Sequence, residues 1–343
     1  MPTESKKGRK ALLQNRVGSR YQQGKDAPRR LHSSWHRGKH SNFVASRANL
    51  QERGALQKYL IKGWAPAKPL IKKDDQILAV GSCFAQHIAE ALSKLRKDVV
   101  VNRGKRIGKT GTSSDINLFT FGAGFVNTAS VLQQFEWALG KREIGEATLY
   151  VQQPKTDDGK IREIMLMPMS SRVRAMSRRT IMGTDAFIIT LGLSEVWYDK
   201  ISGEVFFGAV PTSKYDPTRH AFRVMTVEEN RNNLLKLYRL IREFRPRAPI
   251  VFTLSPVPLI ATFRPVSCMT ANSVSKAVLR AAVDEFVREV QPEDPLVFYW
   301  PSYEIVLDFF GPDRAYREDR RHIKPEIVMA IMKAFANAFI ERE

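Results

Sequence analysis

Four short, mostly apolar segments divide the chain. They cover residues 77–80, 186–191, 249–254 and 296–300. Glycine follows the first two segments, and Ser-Pro follows the third. Continuous apolar runs of this length are typical of parallel strands that are buried on both faces of a sheet. A chain with this pattern is therefore expected to fold around one parallel sheet.

Between these strands the apolar residues recur at helical spacing. The first predicted helix follows the first strand and ends near residue 96. Further helices are predicted over residues 128–139, 227–244, 273–290 and 325–340. A hairpin is predicted over residues 147–168, around a turn at residues 156–159. Strands that alternate with helices predict an α/β fold, with a doubly wound, mainly parallel sheet and helices on both faces. In such sheets ligands bind outside the carboxyl ends of the strands.

The first 60 residues differ from the rest in charge and in pattern. They contain fourteen Lys or Arg against three Asp or Glu, so they carry +11 of the total charge of +20. They show no sustained apolar period, so we predict a basic, disordered arm over residues 1–60 and a globular domain over residues 70–340. Three histidines of the arm, His32, His36 and His40, lack acidic or thiolate neighbours, and no metal site is predicted.

The basic arm predicts attachment to an anionic polymer or a membrane surface. Specific nucleic-acid binding is not expected, because neither zinc-finger spacing nor an RNA-binding signature accompanies the charge. The two cysteines, Cys83 and Cys268, lack the spacing of a disulfide framework. The N-terminus lacks the apolar core of a secretory signal, and no window approaches about 18 uninterrupted apolar residues. A cytoplasmic protein is therefore expected.

Cys83 lies three residues beyond the first strand, where the next helix is predicted to begin. Backbone amides at a helix N-terminus favour negative charge, so they stabilise both a thiolate and a developing oxyanion. Cys83 is therefore a candidate nucleophile. From its position alone, a small residue buried between strand and helix explains it equally well.

Asp319 and His322 lie in the loop before the final helix. Their spacing can bring the carboxylate to one imidazole nitrogen while the other nitrogen faces a nucleophile. Such a pair supplies a general base and the group that orients it. A single Asp-x-x-His is more often solvated than catalytic, so this assignment depends on the presence of Cys83.

The segment Val80–Ala85, with the sequence VGSCFA, resembles the motif that names the GSCFA family. Four further segments resemble that family in the same order, namely Gly124–Thr128, Leu132–Gln134, Thr190–Trp197 and Ser255–Pro258. The resemblance covers roughly residues 70–340. GSCFA proteins are similar to the SGNH (GDSL-type) hydrolases, which implies the three-layer α/β fold of that group.

In SGNH hydrolases the nucleophile is the third residue of a Gly-Asp-Ser turn after the first strand. The resemblance places Cys83 at that position, so we favour Cys83 as the nucleophile and keep Ser82 as the alternative. A related group of capsule-biosynthesis proteins has Gly-Asn-Cys at this turn. A thiol nucleophile is therefore compatible with the fold.

The same resemblance implies supporting residues. Gly124 matches a glycine that donates its backbone amide to the oxyanion, and Gly192–Glu195 match a Gly-x-Asn-Asp block. Ser194 replaces the oxyanion-binding asparagine, and its hydroxyl can donate one hydrogen bond. Glu195 is expected to hold a substrate hydroxyl or an arginine, or to form a structural ion pair.

Together these residues imply acyl transfer through a covalent acyl-enzyme. SGNH relatives often handle acetylated glycans, so the resemblance implies O-acyl groups on carbohydrates and a role in surface polysaccharide biosynthesis. An O-acetylesterase would need only water and no cofactor, whereas an O-acetyltransferase would need a donor such as acetyl-CoA. The alternative is a non-catalytic SGNH-like module that binds a glycan or an anionic surface.

Overall fold

The structure is a computed structural model that describes residues 40–95, 116–118, 126–145, 150–151, 165–166 and 171–341. The chain divides into two compact units, residues 1–53 and residues 54–343. Of the first unit, residues 40–53 are described, and they contain one 3-10 turn, Asn49–Gln51. The side chains of Ser46 and Asn49 are hydrogen-bonded at 2.8 Å beside this turn. The predicted arm up to residue 39 lies outside the described residues.

The bounds of the elements within the described residues are as follows. The strands are β1 (Ile77–Gly81), β2 (Ile116–Leu118), β3 (Tyr150–Val151), β4 (Met165–Leu166), β5 (Ala186–Leu191), β6 (Glu195–Asp199), β7 (His220–Val224), β8 (Ile250–Leu254) and β9 (Val297–Trp300). The longer helices are α1 (Cys83–Leu95), α2 (Thr128–Ala138), α3 (Ser171–Met182), α4 (Val227–Phe244), α5 (Cys268–Val290) and α6 (Pro325–Phe339). Shorter helical turns cover Gln57–Ile61, Thr212–Lys214, Ser302–Glu304, Ile305–Phe310 and Pro312–Ala315.

One parallel sheet forms the centre of the second unit, with the strand order β2-β1-β5-β8-β9. The four strands predicted from the apolar runs are β1, β5, β8 and β9, and the unpredicted β2 pairs along the edge of β1. The chain leaves β1 first towards β2 and later towards β5, so the order reverses between β1 and β5. At such a switch point the carboxyl ends of two strands open a crevice. The prediction of a doubly wound parallel sheet is confirmed.

Side chains from the two faces of the sheet form two apolar clusters. Leu78 and Val80 of β1 join the cluster that α2, α4 and α5 cover. Ile77 and Ala79 join the opposite cluster, which α1 and α6 cover. Successive side chains of a strand alternate between faces, so a strand covered on both sides must be apolar throughout. The predicted helices on both faces, and with them the three layers, are confirmed.

The sequence pattern does not predict the hairpin of β6 and β7, which pair antiparallel from Glu195 opposite Val224 to Asp199 opposite His220. Residues 200–219 separate the two strands, so a local pattern does not reveal the pairing. Helix α3 is also unpredicted, and α5 begins at Cys268 rather than at residue 273. The hairpin predicted over residues 147–168 is present as the antiparallel pair of β3 and β4.

The second unit begins before the predicted end of the arm. The arm is predicted over residues 1–60, but Ala55 and Ile61 are buried. Leu56 and Leu60 pack against the cluster that α1 and α6 cover. Leu56 and Leu60 are four residues apart, which places them on the same side of a helical turn. The residues from Ala55 onward therefore belong to the folded unit.

Candidate active site

A tight turn of residues 81–83, here called the β1–α1 turn, lies at the switch point of the sheet. Gly81 has a φ of +133°, a conformation that residues with side chains rarely adopt. A β-carbon at this position would lie 2.0 Å from the carbonyl oxygen of Thr190 on β5. Glycine therefore allows the chain to turn while β1 and β5 remain paired.

Ser82 caps the first turn of α1. Its Oγ accepts a hydrogen bond from the backbone N–H of Phe84 at 3.2 Å. Its own N–H donates to the carbonyl of Thr190 at 3.1 Å, and the residue is only 6% exposed. The hydroxyl oxygen of Ser82 is therefore directed at the helix backbone, as expected of an N-cap serine.

Cys83 is the first residue of α1. The structure describes its backbone, and its side chain lies outside the described part of the chain. The first position of a helix is surrounded by backbone N–H groups that have no acceptor within the helix. These groups give the helix end a partial positive charge, which favours an anion bound there.

The end of β5 approaches Ser82 from the neighbouring strand. A β-carbon on Gly192 would lie 3.4 Å from the Cβ of Ser82. The N–H groups of Gly192 and Leu193 both donate to the carbonyl of Val126, at 2.7 and 3.1 Å. These two amides are occupied by the protein, so Gly192 contributes to the site through its small size. Gly124 lies outside the described residues.

Ser194 and Glu195 are both hydrogen-bonded to other side chains of the protein. Ser194 is fully buried, its N–H donates to the Oγ of Ser275 on α5 at 2.7 Å, and the two hydroxyls are 3.2 Å apart. Both carboxylate oxygens of Glu195 accept from the hydroxyl of Thr262, at 2.8 and 2.9 Å. Burial raises the pKa of Glu195, against the opposing effects of Thr262 and Arg264. The hydroxyl of Ser194 is thus held by α5.

Residues 316–323 form a closed loop, here called the Asp-His loop. Tyr316 and Ile323 pair as an isolated antiparallel bridge that closes it. Asp319 Oδ1 accepts from the backbone N–H groups of Arg321 and His322, at 3.0 and 2.9 Å. Asp319 Oδ2 contacts His322 Nδ1. The structure therefore brings the carboxylate to Nδ1, which directs the opposite nitrogen, Nε2, away from the carboxylate.

The carboxylate of Asp319 has a pKa well below its usual range. The hydrogen bond with the His322 ring is the largest cause, and the backbone donors lower the pKa further. Arg320 has a φ of +54°, which is uncommon for a residue with a side chain and lets the loop turn tightly. The side chains of Asp319 and His322 are 46% and 43% exposed. The carboxylate of Asp319 is therefore ionised, and both side chains of the pair are accessible to a ligand.

The Asp-His loop lies at the carboxyl edge of the sheet, as the β1–α1 turn does. Tyr316 donates its hydroxyl to the carbonyl of Pro256, just beyond β8, at 2.6 Å. Helix α6 follows the loop and packs on α1. These two contacts hold the loop beside the end of the sheet at which α1 begins.

His87 lies on α1 one turn after Cys83, and it is not among the site residues predicted from the sequence. Burial lowers its pKa, the charges of His322 and Arg317 lower it further, and Glu90 opposes this effect. The influence of His322 on His87 indicates that the Asp-His loop is close to the first turns of α1. The signal in the sequence was the spacing of four residues, which puts His87 and Cys83 on one side of a helix.

Among the residues that the structure describes, no three His, Cys, Asp or Glu side chains cluster closely enough to hold a metal ion. Cys268, the second cysteine, begins α5, and its Sγ lies 3.8 Å from the carbonyl oxygen of Leu259. Over the same described ranges, no helix combines the length and apolarity needed to cross a membrane.

Several solved esterases and lipases are similar to the chain in structure. A lipase from a goat rumen metagenome is 10% identical, with a TM-score of 0.35 over 78% of this chain and 97% of that one. A carbohydrate esterase of family 3 from Talaromyces cellulolyticus is 10% identical, with a TM-score of 0.34 over 78% and 95%. The acetyl xylan esterase Est2A from the rumen bacterium Butyrivibrio proteoclasticus is 12% identical, with a TM-score of 0.32 over 79% and 63%.

No curated protein matches the chain in sequence. The sequence model of the GSCFA family matches residues 76–335. The match begins one residue before β1 and ends within α6, so it includes the β1–α1 turn and the Asp-His loop. It spans more than half of the 343 residues, and the chain therefore belongs to the GSCFA family.

Proposed function

We propose that the chain transfers acyl groups through a covalent thioester at Cys83, with His322 as the general base and Asp319 as the group that orients it. The contact between Asp319 and His322, in a loop held near the start of α1, is the observation that carries this proposal. The capping role of Ser82 supports Cys83 as the nucleophile, because the buried hydroxyl oxygen of Ser82 already accepts from the helix backbone.

In the first half of the reaction the acyl group moves to sulfur. His322 Nε2 takes the proton of the Cys83 thiol as the sulfur attacks the carbonyl carbon and forms a C–S bond. The oxyanion develops beside the N-terminus of α1, where the helix dipole favours negative charge. The bond from the carbonyl carbon to the leaving group then breaks, which is C–O in an O-acyl ester and C–S in acetyl-CoA. The imidazolium gives its proton to the leaving oxygen or sulfur. Asp319 holds Nδ1 and stabilises the imidazolium between these two transfers.

In the second half an incoming hydroxyl attacks the thioester. The imidazole removes the proton of that hydroxyl, a new C–O bond forms, the C–S bond breaks, and the sulfur recovers its proton from His322. Water as the incoming group makes the protein an esterase. A sugar hydroxyl makes it a transferase, with acetyl-CoA as the acyl donor, and a net charge of +20 suits a donor that carries phosphates.

The proposed substrates are O-acetyl and related O-acyl groups on carbohydrates, in the biosynthesis of a surface polysaccharide. This substrate class rests on the resemblance of the VGSCFA segment and the later segments to the GSCFA family, whose members are similar to the SGNH hydrolases. The basic arm is proposed to bring the domain to an anionic polymer or membrane surface. The competing function is a non-catalytic module that binds a glycan, in which Cys83 is inert.

Intact mass after a rapid acid quench tests the proposal. Incubation with acetyl-CoA, and separately with an acetylated sugar, should add about 42 Da, one acetyl group, to the wild type. Cys83→Ala should gain no mass, and the control Cys268→Ala should gain as much as the wild type. Ser82→Ala should still be acetylated, although losing the cap should lower its stability by about 1 kcal/mol.

Each other outcome has a definite meaning. Acetylation that persists in Cys83→Ala and disappears in Ser82→Ala would place the nucleophile one residue earlier. An adduct from acetyl-CoA alone identifies a transferase, and one from the acetylated sugar alone identifies an esterase. The binding module would be favoured by the absence of any adduct together with equal alkylation of Cys83 and Cys268 by iodoacetamide across pH.

A further inference from the structure

Lys276 of α5 is buried at the carboxyl ends of two strands, and the residue is only 2% exposed. Its Nζ donates to the carbonyl oxygens of Gly192, Ser255 and Val257, at 2.6, 2.7 and 2.9 Å. A protonated lysine has three N–H groups, and three backbone carbonyls receive them here. Gly192 follows β5, whereas Ser255 and Val257 follow β8, so one side chain joins the ends of two paired strands.

A lysine in this place needs an explanation beyond packing. Lysine is almost never fully buried, because moving its charge out of water costs free energy unless hydrogen bonds replace the water. Methionine is similar in length, and it would fill the same volume without that cost. The three short hydrogen bonds therefore indicate that Lys276 is there to hold the three carbonyl groups in place.

These carbonyl groups belong to the two sides of the candidate active site. Gly192 lies against Ser82, so it borders the β1–α1 turn. Between Ser255 and Val257 lies Pro256, whose carbonyl accepts from Tyr316, the residue that closes the Asp-His loop. Lys276 thus binds one segment that supports the turn and another that supports the loop.

We propose that Lys276 is a positioning residue that sets the distance between the β1–α1 turn and the Asp-His loop. Ser275, the residue before Lys276, binds Ser194, which follows β5 as Gly192 does. Two consecutive residues of α5 therefore hold the segment that follows β5. The catalytic consequence rests on the proposed acyl transfer, because it requires Cys83 and His322 to react. The positioning itself is independent of that function and is measured separately.

Lys276→Met keeps the side-chain volume and removes the three donors. The matched control is Leu279→Ala, which changes a fully buried residue one turn further along α5. Amide hydrogen exchange of Lys276→Met should accelerate about tenfold or more in residues 190–194, 254–258 and 316–323, beyond any change elsewhere. Leu279→Ala should destabilise the protein without selecting these three segments.

Steady-state kinetics give the second measurement. For Lys276→Met, kcat of acyl transfer should fall about 100-fold with KM nearly unchanged, because misplaced reacting groups affect the chemical step. Below its melting temperature, Leu279→Ala should keep kcat within about threefold of the wild type. If Lys276→Met does not fold, Lys276→Gln, which retains an N–H donor on a shorter side chain, is measured in its place.

The positioning role would be overturned if amide hydrogen exchange of Lys276→Met accelerated evenly along the chain, as in the Leu279→Ala control. Selective loosening with an unchanged kcat in an active enzyme would also overturn it, because the distance would then not matter for the reaction. If the three segments loosen selectively and the wild type acylates nothing, Lys276 still positions the two segments and the proposed acyl transfer is wrong.

Discussion

At Gly81 the backbone of β1 passes so close to β5 that a β-carbon would lie 2.0 Å from the carbonyl oxygen of Thr190. Ser82 and Cys83 follow directly, so the direction in which α1 leaves the sheet depends on this approach. Two effects act on the same residue, a positive φ and a steric conflict with backbone. They can be separated by comparison with a glycine that has only the first.

Gly81→Ala should lower the free energy of unfolding by about 4 kcal/mol or more, because the methyl group meets backbone that cannot move without breaking strand pairing. Gly203→Ala is the control: its φ is +70°, and nothing lies within 4 Å of the added β-carbon. Strain alone should cost that variant about 1–2 kcal/mol. Urea unfolding measures both. Equal losses would mean that the sheet accommodates the methyl group at Gly81.

At the scale of elements, a hydrogen bond from Tyr316 ties the Asp-His loop to the end of the sheet. The hydroxyl of Tyr316 donates to the carbonyl of Pro256, beyond the end of β8. Burial raises the pKa of Tyr316, and the charge of Tyr303 raises it further. A raised phenol pKa keeps the donor protonated at neutral pH, so the tether is lost only in strongly alkaline solution. The loop should therefore keep its position throughout an ordinary assay.

Tyr316→Phe removes this hydrogen bond and keeps the ring, so it should cost about 1 kcal/mol of stability and lower the rate of acyl transfer about tenfold. Tyr238→Phe is the matched control, because it removes a hydrogen bond to Asp294, which precedes β9 at the amino edge of the sheet. Melting temperatures and initial rates are compared. Similar rate losses in the two variants would show that the tether has no special role in placing His322.

At the scale of the whole molecule, the basic segment and the packed unit overlap, because the basic segment ends after the packed unit has begun. The basic excess extends over residues 1–60, with +11 of the total +20. Packing of the second unit begins near Ala55, since Ala55 and Ile61 are buried. The last residues of the basic segment therefore contribute to stability, whereas the residues before them are expected to contribute charge.

Two truncations test this division. Deleting residues 1–53 should leave the melting temperature within about 2 °C of the full chain, and deleting residues 1–61 should lower it by about 5 °C or more, because buried apolar side chains are lost. Calorimetry of both proteins provides the measurement. A large loss on deleting residues 1–53 would show that the arm itself packs.

The sequence by itself determined the class of fold and the local features of the candidate site. The apolar runs of β1, β5, β8 and β9 and the helical periods between them arise from residues close together in the chain. The same holds for Asp319 and His322, which are three residues apart and meet within one loop. Strand β2 was missed, because three residues are too short for a period to appear.

Only the tertiary structure decided which partners the remaining site residues bind. Ser194 is bound by Ser275, 81 residues later, and Gly192 by Lys276, 84 residues later. These contacts depend on how α5 packs against the strand ends, and no local period encodes that packing. The motif position of Ser194 predicts an oxyanion donor, but its hydroxyl is held by α5, because both residues are buried where helix and sheet meet.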